Sequence, residues 1–183
     1  MRVLVPLAKG VEEIEFIAVV DILRRAGVEV ISASLDGADV TGRSNITIRP
    51  DAGLADVMHE EWDMVVLPGG LPNAHLLRDD GNVKAVVRRL RDQRKSIAAI
   101  CAAPTALAAY GITEGMRVTS YPACREEMQK LAPSSVYVDE AVVEDDFLTT
   151  SRGAGTAVAF ALRLVARLCG EGKAEEVRES IVG

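Results

Sequence analysis

Cys101 stands where an apolar run ends and small residues begin, in Lys95-Ser96-Ile97-Ala98-Ala99-Ile100-Cys101-Ala102-Ala103-Pro104-Thr105-Ala106-Leu107. Ile97 to Ile100 has the character of a buried strand, Pro104 suits the first turn of a helix, and Ala106 to Ala109 favours helix. A strand, a sharp turn carrying the sulfur and a helix form a nucleophile elbow, which lifts a side chain off the end of a sheet. The partial positive charge of the helix start favours thiolate over thiol, and the thiolate is the nucleophile. A small buried core residue is the alternative reading of the same cysteine.

A second candidate is Glu15. It shares the start of an expected helix, Val11 to Ala26, with Glu12 and Glu13, and Arg24 and Arg25 close that helix. The helix dipole accounts for the sign of all five charges. It does not account for the apolar run Phe16 to Val20, continued by Ile22 and Leu23, which needs cover on more than one face. One face can sit on a sheet, and the other suggests a partner subunit.

The elements that must position these groups alternate along the chain. Val3 to Leu7, Val28 to Ser34, Asp63 to Leu67 and Ile97 to Ile100 are expected strands, and Val83 to Arg94 is an expected amphipathic helix. Val40-Thr41 and Ile46-Thr47-Ile48 suggest a β appendage. Further on, Arg117 to Ser120 reads as a strand, Ala123 to Lys130 as a helix, Val136 to Val138, Ala141 to Val143 and Leu148 to Thr150 as strands, and Ala157 to Leu168 and Lys173 to Ile181 as helices. This order predicts a mostly parallel sheet with helices on both faces, which binds ligands at the carboxyl ends of its strands. Glu15, Gly69-Gly70 and Cys101 all follow such ends. The two glycines allow backbone to approach something closely.

Composition narrows the classes of function. The 183 residues suit one domain, and a net charge of −6 argues against a nucleic-acid surface. No apolar run approaches the length of a membrane span, and the opening Arg2 to Leu7 is too short for a signal peptide. Cys101, Cys124 and Cys169 lack metal-ligand spacing and are odd in number, so neither a zinc site nor a disulfide framework is expected. A reducing cytoplasm suits such thiols. Gly153-Ala154-Gly155 lacks the third glycine and the downstream acidic residue of a dinucleotide site.

AKGVEEIEF, VVLPGG, AAICAAPTAL and TSRGAGTAVAFAL, in this order and spacing, make the chain resemble the ThiJ/PfpI family, in the branch of the parkinsonism-associated protein deglycase, from about residue 2 to about 182. The resemblance implies a flavodoxin-like three-layer sandwich, a homodimer formed through the helix at 11–26, and a reactive cysteine in a strained elbow. It maps the family cysteine onto Cys101, its glutamate onto Glu15, and the backbone N–H donors onto Gly70 and Ala102. The activity implied is cofactor-independent work on a small reactive carbonyl, either conversion of methylglyoxal to lactate or removal of an early glycation adduct. The alternative is an oxidative-stress sensor or redox-regulated chaperone that uses oxidation of Cys101. Relatives in this branch carry His before Pro near the cysteine, whereas this chain has Tyr121 before Pro122, either a phenolic donor at the pocket or a packed aromatic. His75, after Gly69-Gly70, is placed either near the site or on the surface. Arg25 and Arg43 are candidates for an anion-binding mouth at the dimer seam, with Ser44 where one family arginine is expected. The residue after the cysteine is Ala102, so the histidine of the family's peptidases is missing and proteolysis is not expected.

Overall fold

A computed structural model describes residues 1–183. The chain runs β1 (Arg2–Leu7), α1 (Glu13–Arg25), β2 (Glu29–Ser34), β3 (Val40–Thr41), β4 (Thr47–Ile48), β5 (Ala52–Gly53), α2 (Leu54–Val57), β6 (Met64–Leu67), α3 (Asn73–Asp79), α4 (Gly81–Asp92), β7 (Ser96–Ile100), α5 (Pro104–Ala109), β8 (Arg117–Val118), α6 (Arg125–Leu131), β9 (Val136–Tyr137), β10 (Val142–Asp145), β11 (Leu148–Ser151), α7 (Ala157–Cys169) and α8 (Glu171–Ser180). The main sheet has the order β10-β11-β7-β6-β1-β2-β5, and only its β10–β11 pairing is antiparallel. The mostly parallel sheet expected from the alternation is therefore present.

Period-two alternation divides the core between the two faces. Val3, Val5 and Leu7 of β1, Met64 and Val66 of β6, and Ala98 and Ile100 of β7 pack with Phe16, Val19 and Leu23 of α1 and Phe160 and Leu164 of α7. Their neighbours Leu4, Val65, Leu67, Ile97 and Ala99 point the other way, onto Leu77 of α3, Val86, Val87 and Leu90 of α4, and Leu107 of α5. Each large side chain buried this way is worth about 1.5–3 kcal/mol. Because β1, β6 and β7 are buried on both sides, they read in sequence as continuous apolar runs.

After β1 the chain crosses to β2 on one side, whereas β6 pairs with the other side of β1. Such a change of direction opens a crevice at the carboxyl ends of the strands. Leu7, Leu67 and Ile100 end there.

Several boundaries differ from the sequence expectation. The strand expected over Arg117 to Ser120 is reduced to β8, paired with β9 in a small separate sheet; the Thr119 N–H leaves the ladder and donates to the Thr150 hydroxyl oxygen at 2.9 Å. The helix expected from Ala123 begins as a 3₁₀ turn, Pro122–Cys124, before α6. The short helices α2 and α3 give too brief a periodic signal to be read from sequence.

Candidate active site

Cys101 follows β7 with φ +64, a left-handed backbone rare for a residue with a side chain. Its N–H donates to the Ser151 carbonyl at 3.0 Å and its carbonyl accepts from the Tyr121 N–H at 2.7 Å. Two neighbouring segments thus clamp the turn, as a strained conformation requires. The elbow read from sequence is present in this backbone.

Glu15 is fully buried in the first turn of α1. The three glutamates of this segment do different work. Glu12 caps the helix, its Oε2 accepting from the Glu15 N–H at 2.9 Å. Glu13 holds the loop after β3, accepting from the Ser44 N–H at 2.7 Å. Glu15 itself crosses the crevice, and its Oε2 accepts from the Gly69 N–H at 2.9 Å. The dipole explains the sign of these charges, but it does not explain why Glu13 and Glu15 leave solvent.

Gly69 and Gly70 fix the spacing. A Cβ on Gly69 would lie 2.5 Å from Glu15 Oε2, 2.6 Å from Cys101 Cβ and 2.9 Å from the Ile100 carbonyl oxygen. Gly70 has φ +88, and a Cβ on it would lie 2.3 Å from the Gly10 carbonyl oxygen. Neither place admits a side chain. Asn73, fully buried at the start of α3, locks this loop by donating to the Pro68 and Gly69 carbonyls at 2.8 and 2.9 Å and accepting from the Ala8 N–H at 2.7 Å. Sequence reasoning missed this stitch, whose one signal is an amide placed just after the Pro-Gly-Gly turn.

Glu15 Oε1 is buried without a hydrogen-bond partner, and the carboxyl lies beside the Cys101 side chain. Burial pushes the Glu15 carboxyl up to about 7, against the sulfur contact and the Gly69 N–H, which favour the anion. Burial pushes the Cys101 thiol up to about 12, and the adjacent carboxyl adds to the rise. The N–H groups of Gly70 and Ala102 act on the sulfur in the opposite sense. Desolvation and the neighbouring acid oppose the charge that the start of the short helix α5 supplies. Sulfur and carboxyl cannot both be charged, so near neutrality they share one proton. In the reactive tautomer the proton is on Oε1 and the charge on Sγ, facing the two N–H donors.

Cys101 opens into a pocket of about 440 Å³, lined also by Arg43, Gly70, Leu71, His75, Ala102, Tyr121, Ala123, Cys124 and Glu127. His75 on α3 and Arg43 on the loop after β3 therefore reach the same cavity as the sulfur. Cys124 was not anticipated there, although its position three residues after Tyr121, one helical turn on, was the available signal. Gly153 was also missed: a Cβ on it would lie 3.6 Å from Tyr121 Cδ2 and 3.9 Å from both Cys101 Sγ and Glu15 Oε1. One expectation is corrected. Pro122 lines a neighbouring hollow with Arg152 and Gly153 rather than the sulfur pocket, because the 3₁₀ turn swings it outward. Arg25 is at the far end of α1, bound to Asp21 at 2.9 Å one turn back, and lines a hollow with Ile17 and Val158 instead of the sulfur pocket of its own chain. Among all residues, no group of three or more His, Cys, Asp or Glu is arranged to hold a metal.

Known proteins share this arrangement of elements. The chain is 42% identical over 181 residues to Protein dj-1beta of Drosophila melanogaster, covering 98% of this chain and 95% of that one. It is 40% identical over 184 residues to the Parkinson disease protein 7 homolog of Danio rerio, covering 99% and 96%. It is 37% identical to the glutathione-independent glyoxalase DJR-1.2 of Caenorhabditis elegans, covering 88% and 85%. The crystal structure of Drosophila melanogaster DJ-1beta superposes with a TM-score of 0.95, over 99% of this chain and 97% of that one. The oxidized form of Toxoplasma gondii DJ-1, 32% identical, superposes with a TM-score of 0.93 over 99% and 97%. With the family profile matching residues 1–167, the chain belongs to the DJ-1/PfpI family.

Proposed function

We propose that this protein is a glyoxalase-type enzyme that turns a small α-oxoaldehyde such as methylglyoxal into its hydroxy acid, with no metal or organic cofactor. One observation carries the reading: a buried carboxyl oxygen without a partner faces a strained cysteine whose sulfur is bordered by two backbone donors. The glyoxalase among the relatives supports the same class of reaction.

Cys101 Sγ attacks the aldehyde carbon, and the oxyanion formed is received by the N–H groups of Gly70 and Ala102. Protonation of that oxygen completes the hemithioacetal. Glu15 Oε1, now ionised, takes the proton from the former aldehyde carbon and returns it to the adjacent carbon as the ketone becomes an alcohol, general acid–base work worth about 10²–10⁴-fold. The product of this rearrangement is a thioester on Cys101. Water cleaves it, releases the hydroxy acid and restores the thiol, so that the sum is oxoaldehyde plus water. In the deglycase form of this chemistry the carbon–sulfur bond to Cys101 forms on an early adduct as its bond to the amine or thiol breaks, the freed amine or thiol leaves with a proton, and the same rearrangement and hydrolysis follow.

The test is lactate formation from methylglyoxal in glutathione-free, chelator-treated buffer. Wild type is expected to form lactate and Cys101→Ala none; equal lactate from both would remove the proposal. The second reading, a sensor or chaperone controlled by oxidation of Cys101, draws on the oxidized Toxoplasma relative and on the exposed edge of the thiol. It would be favoured by an absence of turnover together with selective peroxide oxidation at Cys101.

The protein is further proposed to pair with a second copy through α1, on which Ile14 and Ile17 are 58% and 50% exposed beside Val158 of α7. Three free cysteines suit a reducing compartment such as the cytoplasm. No helix is long and apolar enough to cross a membrane.

A further inference from the structure

A second thiol shares the cavity of the reactive one. Cys101 and Cys124 both line the pocket of about 440 Å³, and both are free. The link between them is short in backbone terms. The Cys101 carbonyl accepts the Tyr121 N–H at 2.7 Å, and the Tyr121 carbonyl accepts the Cys124 N–H at 2.8 Å, so the turn bearing Cys124 hangs from the backbone of Cys101 itself. Tyr121, Pro122 and Ala123 are exposed, and no side chain caps either the 3₁₀ turn or the start of α6. Glu15 is buried behind Cys101 rather than lining the cavity, packed with it against Gly69, and its Oε1 has no hydrogen-bond partner. The third cysteine, Cys169, is exposed at the end of α7 and lies outside the pocket.

From this placement we infer that Cys124 is a resolving cysteine, which converts peroxide-oxidised Cys101 into a reversible intramolecular disulfide and so shields the site from over-oxidation. The inference rests on Cys101 being the nucleophile of the proposed function, but it does not require carbonyl turnover. The oxidant is a hydroperoxide. Cys101 Sγ attacks its terminal oxygen, the sulfur–oxygen bond forms as the oxygen–oxygen bond breaks, and the departing oxygen leaves as alcohol or water with the proton held on Glu15. Cys101 is then a sulfenic acid. Cys124 Sγ attacks the Cys101 sulfur, a sulfur–sulfur bond replaces the sulfur–oxygen bond, and the hydroxyl leaves with the Cys124 proton as water. A dithiol reductant restores both thiols and is itself oxidised to its disulfide. Without Cys124, further peroxide carries the sulfenic acid to sulfinate, which thiols do not reverse.

The experiment treats reduced full-length protein with a several-fold molar excess of hydrogen peroxide and reads intact mass, free thiols and a non-reducing peptide map. Wild type is expected to lose two hydrogens and two thiols, to yield a peptide joining Cys101 to Cys124, and to recover fully with dithiothreitol. Cys124→Ser and Cys124→Ala are expected to gain oxygen at Cys101 several-fold more than wild type and not to recover. Wild type that gains oxygen at Cys101 as readily as the variants, or that links only through Cys169, overturns the inference. The readout is mass and not lactate, so failure of the glyoxalase assay would remove the proposed function while a Cys101–Cys124 link would still stand.

Discussion

Two strand-to-helix junctions lie side by side at the carboxyl edge of the sheet. β7 leads through Cys101 to α5 and β11 leads through Gly153 to α7, and the two strands pair in parallel from Ile97 beside Leu148 to Ile100 beside Ser151. The first turn forces a residue with a side chain into φ +64; the second passes through glycine in an extended conformation that any residue can adopt. The strained turn presents the sulfur, and the relaxed one leaves room beside it. A reactive group and the space it reacts in are thus supplied by adjacent turns of similar composition. Gly69 opposes both: it is the wall against which Glu15 and Cys101 are pressed.

Substitutions can break this contrast, beginning with the largest effect. Cys101→Ala is expected to lower lactate formation by three or more orders of magnitude, measured as kcat/KM, with the fold retained. Gly69→Ala must drive a Cβ into backbone and the reacting pair, so a loss of about 10²-fold in kcat together with a lower Tm is expected. Gly153→Ala adds the same methyl group where the nearest atoms are at 3.6 and 3.9 Å, and is expected to leave Tm unchanged while raising KM several-fold. Equal damage from the two glycine variants would erase the distinction between wall and opening. Arg25→Ala, which removes an exposed pair with Asp21, is expected to cost about 0.3 kcal/mol and to leave kcat/KM within about twofold.

Glu15→Gln separates catalysis from stability. Loss of kcat by about 10²–10⁴-fold is expected from removal of the proton carrier. Stability should move the other way. With the carboxyl at 4.5 when unfolded and about 7 when folded, the native state binds more protons than the unfolded one between these values, so wild-type stability falls as pH rises through that window. The glutamine variant lacks this penalty and should gain on wild type by up to about 3 kcal/mol by pH 7. Denaturant unfolding at pH 4.5 and pH 7 measures the difference.

The parts of the site carried by local sequence were legible, and those that depend on distant approach were not. Ile97 to Cys101 and Gly69-Gly70 announce a strand, a forced turn and a close contact in their own residue types. Glu15 could be placed at the start of a helix, but its burial is set by Gly69 from 54 positions away. Ten residues of helix carry Arg25 from Glu15 to the other end of α1, so a single chain does not bring it to the sulfur pocket. Asn73, Cys124 and Gly153 join the site through short turns that have no periodic signature.

The shared proton is tested most directly by the pH dependence of Cys101 alkylation with iodoacetamide, followed by mass spectrometry in wild type and Glu15→Gln. If sulfur and carboxyl titrate as one unit, alkylation in wild type shows an inflection at about pH 7 that the glutamine variant loses. Superimposable profiles from the two proteins would contradict the pairing of Cys101 with Glu15.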